Sequence, residues 1–267
     1  MPYQKIYIGD DSITTDKNGE FTYDADEPVE MNAGFKGLYA QVSITDGVSA
    51  DYSGTFTPGE NNSIDWNDDN SHLFERHLYY HANKVYQFAK FIDPSMTAMD
   101  FPIDIQIEMG GQQPNAGSSG ETIRYMAAGN EDYKFVETPT VLYHEYTHSI
   151  NFLLYKDLGI EDGMMNLLCH EGTADFMASL MIDEPKMGIG AFANEPERYM
   201  RNLENNIVFP DSMTGESHYD GQCLSGAFWE IKEQTSIPYA ASLSHFAKYG
   251  TPDDPEDAIA LSEWFLE

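Results

Sequence analysis

The stretch that most constrains this chain is Val141-Leu142-Tyr143-His144-Glu145-Tyr146-Thr147-His148. Thr138-Pro139 just before it predicts a helix start, with Thr as N-cap and Pro at the first helical position. On a helix, residues four apart share a face, so His144 and His148 aim two imidazole nitrogens at one point. That point suits a zinc ion, which takes nitrogen ligands at about 2.0–2.1 Å. Glu145 lies one residue round, where its carboxylate reaches a water on the metal and serves as general base. Taken alone, the pattern also fits a helix that carries two histidines on one side, at the surface or in a satisfied core.

A hydrolytic zinc takes three protein ligands and keeps one position open. The candidate for the third is in Cys169-His170-Glu171-Gly172-Thr173-Ala174-Asp175. Glu171 and Asp175 are four apart on a predicted helix over 164–181 and face the same way. Glu171 is placed as the metal ligand. Asp175 is placed as acceptor for the far nitrogen of a ligand histidine, which locks its tautomer. A rival ligand set of His144, His148 and His170 stays open, as does a pair of merely exposed acids. His77 and His81 are also four apart, but no Glu follows the first; packed histidines are the expectation there.

The bulk of the chain sets limits. Its 267 residues suffice for one large domain or two small ones, and 41% hydrophobic residues suffice for a core. No apolar run reaches the roughly 20 residues of a membrane helix. Met1-Pro2-Tyr3-Gln4-Lys5 opens no apolar signal segment, so the protein is cytosolic or its leader has been removed. The formal net charge of -31 argues against nucleic acid and anionic membrane as partners. It suits calcium or a salty medium, and Asp65-Trp66-Asn67-Asp68-Asp69-Asn70 collects carboxylates without the spacing of an EF-hand loop. Two cysteines, Cys169 and Cys223, are too few to show compartment; a disulfide between them and two buried thiols are both open.

Along the chain, residues 1–66 read as β structure. Lys5–Ile8, Glu20–Tyr23 and Leu38–Val42 are strand-like, with turns at Asp10-Asp11, Lys17-Asn18-Gly19 and Thr45-Asp46-Gly47. Residues 71–91 have helical period, 102–108 and 122–127 read as strands, and a glycine-rich turn at Gly110-Gly111 separates the two. Three more helices are expected near 221–233, 238–249 and 255–266, the last capped by Asp254 with Pro255 following.

His144-Glu145-Tyr146-Thr147-His148 followed by Glu171-Gly172-Thr173-Ala174-Asp175 resembles the gluzincin metallopeptidases, the thermolysin-like and, more closely, the fungalysin-like enzymes. Three further stretches fit in order over about residues 68–235. Asn115-Ala116 resembles the edge strand that binds substrate backbone. Arg201-Asn202-Leu203-Glu204-Asn205 resembles the segment whose Arg contacts a substrate carbonyl, with Arg198 as a rival. Ser217-His218-Tyr219-Asp220-Gly221-Gln222 resembles the segment with the catalytic His. The resemblance implies an α+β, thermolysin-like zinc peptidase fold: a small N-terminal β lobe, a β-sheet with the zinc helix, and a shortened helical C-terminal lobe. It implies a catalytic domain at 67–267, with 1–66 a β-rich lobe or pro-segment remnant. It further implies a secreted, monomeric endopeptidase using Zn²⁺, in which His144, His148 and Glu171 hold the metal. Glu145 is then the base and His218 stabilises the oxyanion, against a peptide or protein substrate. The family's oxyanion tyrosine finds only Tyr155, at a different offset, and the acid orienting His218 is Asp211 or Glu216. Rival readings are a catalytically silent or pro-segment-inhibited binding module on the same fold, and a zinc hydrolase of non-peptide amides.

Overall fold

In the computed structural model, residues 1–159 and 167–250 are described. The helix expected at 255–266, its cap at Asp254, and the first residues of the helix expected at 164–181 lie outside them.

The backbone begins with β1 (Gln4–Ile8), β2 (Asp11–Thr14), β3 (Val29–Gly37), β4 (Ala40–Ile44) and β5 (Tyr52–Phe56). Then come α1 (Leu73–Ile92), β6 (Ile103–Ile107), β7 (Asn115–Ser118) and β8 (Thr122–Met126). The second half holds α2 (Pro139–Asp157), α3 (Leu167–Leu180), β9 (Lys186–Met187), β10 (Arg201–Asn202), α4 (Ser217–Asp220), α5 (Gln222–Gln234) and α6 (Ile237–Gly250). Glu20–Tyr23 forms no strand; Phe21 and Tyr23 instead pack against Ile6, Ile8, Met31 and Phe56, a small core of the N-terminal strands.

An eight-stranded sheet runs β2-β1-β3-β4-β6-β8-β7, with β5 paired to β3. β4 pairs with β6 in parallel, Val42 opposite Ile105, and β6 pairs in parallel with β8. Parallel neighbours need a long crossover, and α1 supplies it between β4 and β6. Sheet strands therefore come from both sides of position 66. Period-2 burial explains the register: Ile103, Ile105 and Ile107 are fully buried while Asp104 and Gln106 are not. β7 closes the order and pairs antiparallel with β8, so Asn115 and Ala116 lie on an edge strand.

α1 starts on a capping box: the His72 ring accepts from Phe74 N, and Glu75 accepts from His72 N. The polar run before it forms the turn that enters the helix. Asp68 pairs with Arg76 at 2.5 Å, Asn70 Oδ1 accepts from Asn67 N, and Asn67 Oδ1 accepts from Asp69 N. These contacts fold residues 67–71 into a local turn, and the segment reads as the polar linker between β5 and α1. At the other end, Asp93 takes His245 Nε2 at 3.1 Å and Tyr249 Oη at 2.8 Å, which fastens α6 to the end of α1.

α2 is buried on nearly every side, with His144, Glu145, Thr147, His148, Ser149 and Asn151 buried among its apolar residues. Leu142, Tyr143, Tyr146 and Ile150 enter the core shared with the sheet and α1. Tyr155 enters a second core with Phe176, Leu224, Phe228 and Trp229 of α3 and α5. Pro139 opens the helix as expected, whereas the Thr138 hydroxyl donates to Lys134 O and makes no cap to α2. Among the described residues no helix is long and apolar enough to cross a membrane.

Candidate metal centre

The i, i+4 spacing on α2 does what the sequence requires: the His144 and His148 Nε2 atoms are 2.9 Å apart. α3 packs across α2 and presents Glu171, whose Oε2 lies 3.2 Å from His144 Nε2 and 3.6 Å from His148 Nε2. Ligands at about 2.0–2.1 Å in a tetrahedron stand about 3.4 Å apart, so these three atoms fit the face of a zinc site. His144 and His148 are 4% and 8% exposed, and the buried Glu171 Oε2 has no hydrogen-bond partner. This triad is also where a metal could be held among the described residues. An oxygen and two nitrogens, each able to present a lone pair, suit zinc in their chemistry.

The electrostatics agree with a cation-seeking site. Burial opposes charge on the His144 imidazole, but Asp175 and Glu171 outweigh it and push the group up to about 9. Burial likewise works against the Glu171 carboxylate, yet His144 and His148 hold it well below the usual carboxylate range. Asp175 is fully buried one turn beyond Glu171; its Oδ1 lies 2.8 Å from His144 Nδ1. Its Oδ2 lies 2.5 Å from Nε of Arg201, which the β9–β10 pairing brings in beside Met187. Asp175 thus faces a ligand histidine on one side and a cation on the other.

His170, weighed from sequence as a rival ligand, sits elsewhere: its Nδ1 meets Nδ1 of His148, the nitrogen turned away from the triad. Glu145 is 7% exposed beside the triad, and its charge is felt by Arg201 and by Tyr125 of β8.

His218 of α4 is half-exposed, with Nε2 at 3.5 Å from Glu171 Oε1. Of the two acids considered for orienting it, Glu216 makes the contact: its Oε1 is 2.7 Å from His218 Nδ1, and it caps α4 through His218 N and Tyr219 N. Asp211 is exposed in the preceding loop. Tyr155 is 1% exposed in the second core, where its neighbours are Phe176 and Trp229. Arg198 is an exposed partner of Glu195 and lies over the Phe192 ring, whereas Arg201 reaches the site.

On the edge strand Asn115 is exposed and Ala116 half-buried. Ser118 Oγ contacts Ser149 Oγ at 2.7 Å, which ties that strand to α2 one residue past His148. The second histidine pair has a packing role: His81 Nδ1 bonds Tyr143 Oη at 2.6 Å and the tilted His77 ring lies 4.4 Å from that of His81. Cys169 and Cys223 are not bonded to each other, and burial pushes the Cys169 thiol up.

No family model and no curated protein matches this chain. Among solved structures its fold is similar to the precursor of protealysin, a metalloproteinase from Serratia proteamaculans. The likeness covers 83% of this chain and 77% of that one, with a TM-score of 0.53 and 14% sequence identity. At that identity what the two share is fold.

Proposed function

We propose that this chain is a zinc-dependent metallopeptidase of the gluzincin type, with its chemistry in residues 67–267 and the strands of 1–66 completing the sheet. The observation that carries the reading is the convergence of His144 Nε2, His148 Nε2 and Glu171 Oε2 at 2.9–3.6 Å on one buried point, with Glu145 the next residue after His144 on α2. The fold likeness to a metalloproteinase precursor supports it.

A bound zinc supplies Lewis acidity towards a carbonyl oxygen and acidifies water. The chain's residues do the rest. Glu145 takes the proton of the attacking water and delivers it to the leaving amine. His218, held by Glu216, donates from Nε2 to the oxyanion as it develops; one such donor is typically worth about 10²–10³ in kcat. Asn115 and the Ala116 backbone receive the substrate as an added strand. Arg201, anchored on Asp175, addresses a substrate carbonyl with the guanidinium nitrogens that Asp175 leaves. Asp175 keeps the His144 proton on Nδ1. The substrate is a peptide or protein, and secretion agrees with the acidic surface.

Glu145→Gln keeps the metal ligands and removes the base. Metal content near one zinc per chain with peptide hydrolysis reduced by at least about 10³ is the expected result, since the base and the proton shuttle are lost together. Near-normal hydrolysis of a quenched peptide by this variant would sink the assignment. A wild-type protein that holds zinc and cleaves nothing would favour the silent or inhibited module.

A further inference from the structure

The face that β7 and β8 turn away from α2 carries a cation that the metal centre does not use. Ser118 Oγ meets Ser149 Oγ of α2, so Ala116 and Ser118 face the helix, and alternation turns Asn115 and Gly117 to the other side. On β8, Ile123 and Tyr125 are buried in the core shared with α2, whereas Arg124 and Met126 are exposed. The register sets Arg124 directly beside Gly117, and Met126 beside Asn115. A Cβ on Gly117 would meet nothing within 4 Å, so the surface over this residue is open as far as the edge of the sheet.

Arg124 also differs from the other arginines. Arg76, Arg198 and Arg201 each pair with a carboxylate. Among the described residues Arg124 pairs with none, in a chain with 45 acidic residues. Its neighbour on β6 is Gln106. The carboxylate next along that face, Asp104, is taken by the side-chain amides of Gln41 and Gln106 at 3.0 and 2.6 Å. A guanidinium that no carboxylate of the sheet claims is available to one that comes from outside the chain.

We propose that Arg124 is a specificity-determining residue: it takes a glutamate side chain at the substrate position that pairs with Gly117. A substrate added to β7 continues the sheet. Its backbone then lies one strand spacing beyond Gly117 and two, about 10 Å, from Arg124. A side chain at 117 would fill that interval, and glycine leaves it free. Arg and Glu extended towards each other across it meet as a charge-assisted pair, and Asp is one methylene shorter. The preference belongs to one substrate position, because the residues before and after it face α2. It runs against the long-range field of the acidic chain, which acts on every position alike. The inference rests on the metallopeptidase reading and on β7 as the strand that receives substrate.

The test is a set of otherwise neutral quenched peptides in which Glu is moved through successive positions, cleaved by the full zinc-loaded chain. Each is compared with the peptide that has Gln at the same position, and the products are identified so that each rate belongs to one bond. Only the Glu/Gln ratio of kcat/KM on one protein is read. In wild type, one position is expected to stand about three- to fivefold above its neighbours in this ratio, as an exposed ion pair allows. Asp at that position should gain less. Arg124→Met is expected to bring the position level with its neighbours, and Arg124→Glu to take it below them and favour Lys there. Gly117→Leu, for which the fold has room, is expected to lose the preference with an unfolding midpoint near that of wild type. Hydrolysis by wild type with no such position overturns the inference alone. So does a preference that R124M or R124E retains, or that G117L keeps in full. Wild type that cleaves no peptide overturns the metallopeptidase reading and the inference with it.

Discussion

Asp175 joins a metal-ligand candidate to a buried cation. Its carboxylate is fully buried; burial works against its charge, yet Arg201 and His144 hold it below the usual range. Removing one partner of a buried ion pair leaves the other uncompensated and costs about 3–5 kcal/mol. Asp175→Ala is therefore expected to lose that much in urea unfolding of the metal-free protein. Asp175→Ala with Arg201→Met is expected to lose less than the single variant, because no buried charge is stranded. A double variant less stable than D175A would show that the pair is not what the residue stabilises. That Asp175 reaches a histidine was legible in the sequence from its spacing to Glu171. That it also pairs with Arg201 was not, since β10 lies on a different element and its approach is set by pairing with β9. The sequence offered both Asp211 and Glu216 for His218; only the turn of α4, capped by Glu216, brings one of them onto the ring.

At the scale of elements, the site depends on how closely α3 meets the α4–α5 corner. A Cβ on Gly172 would stand 2.6 Å from Gly221 O and 3.0 Å from Leu224 Cβ, and one on Gly221 would stand 2.9 Å from Gly172 N. The two backbones touch where no side chain fits, and this lets His218 approach Glu171. Gly172→Ala must push the corner outwards. We expect a stability loss of about 1–3 kcal/mol, as for other overpacking changes. If the proposed function holds, zinc content should stay near one per chain while kcat falls by at least about tenfold, because the candidate ligands remain on α2 and α3 while His218 moves. Wild-type kcat in this variant would mean that His218 needs no such placement. Helix α2 was readable from its own residues; the Gly172–Gly221 crossing was not, because it joins two helices that have no local relation.

For the whole molecule, the net charge of -31 makes a field that reaches substrates before any contact. At an ionic strength of about 0.01 M the screening length is about 30 Å, and at 1 M about 3 Å. Low salt should therefore favour basic over acidic peptides in kcat/KM, by up to about tenfold, and the preference should shrink as salt rises. A preference independent of salt would place selectivity in direct contacts at the site. The sheet was only partly legible at this scale. Alternation marked β6 and β8, but nothing local says that β4 pairs with β6 in parallel, or that β3 links the N-terminal core to the main sheet. Glu20–Tyr23 shows the limit from the other side: its β-formers serve to cover a small core, and no partner strand takes them up.

By itself the sequence determined what a helix period can bring together: His144 with His148, Glu171 with Asp175, and Glu145 beside the first pair, because atoms one turn apart have fixed positions. Its composition determined the sign of the surface. Tertiary structure decided between the ligand sets the sequence left open, with Glu171 closing the triangle and His170 standing behind His148, and it placed Tyr155 in a core. Those outcomes depend on the angle at which α2 and α3 cross, and that angle follows from packing two layers against a sheet assembled from both ends of the first half of the chain.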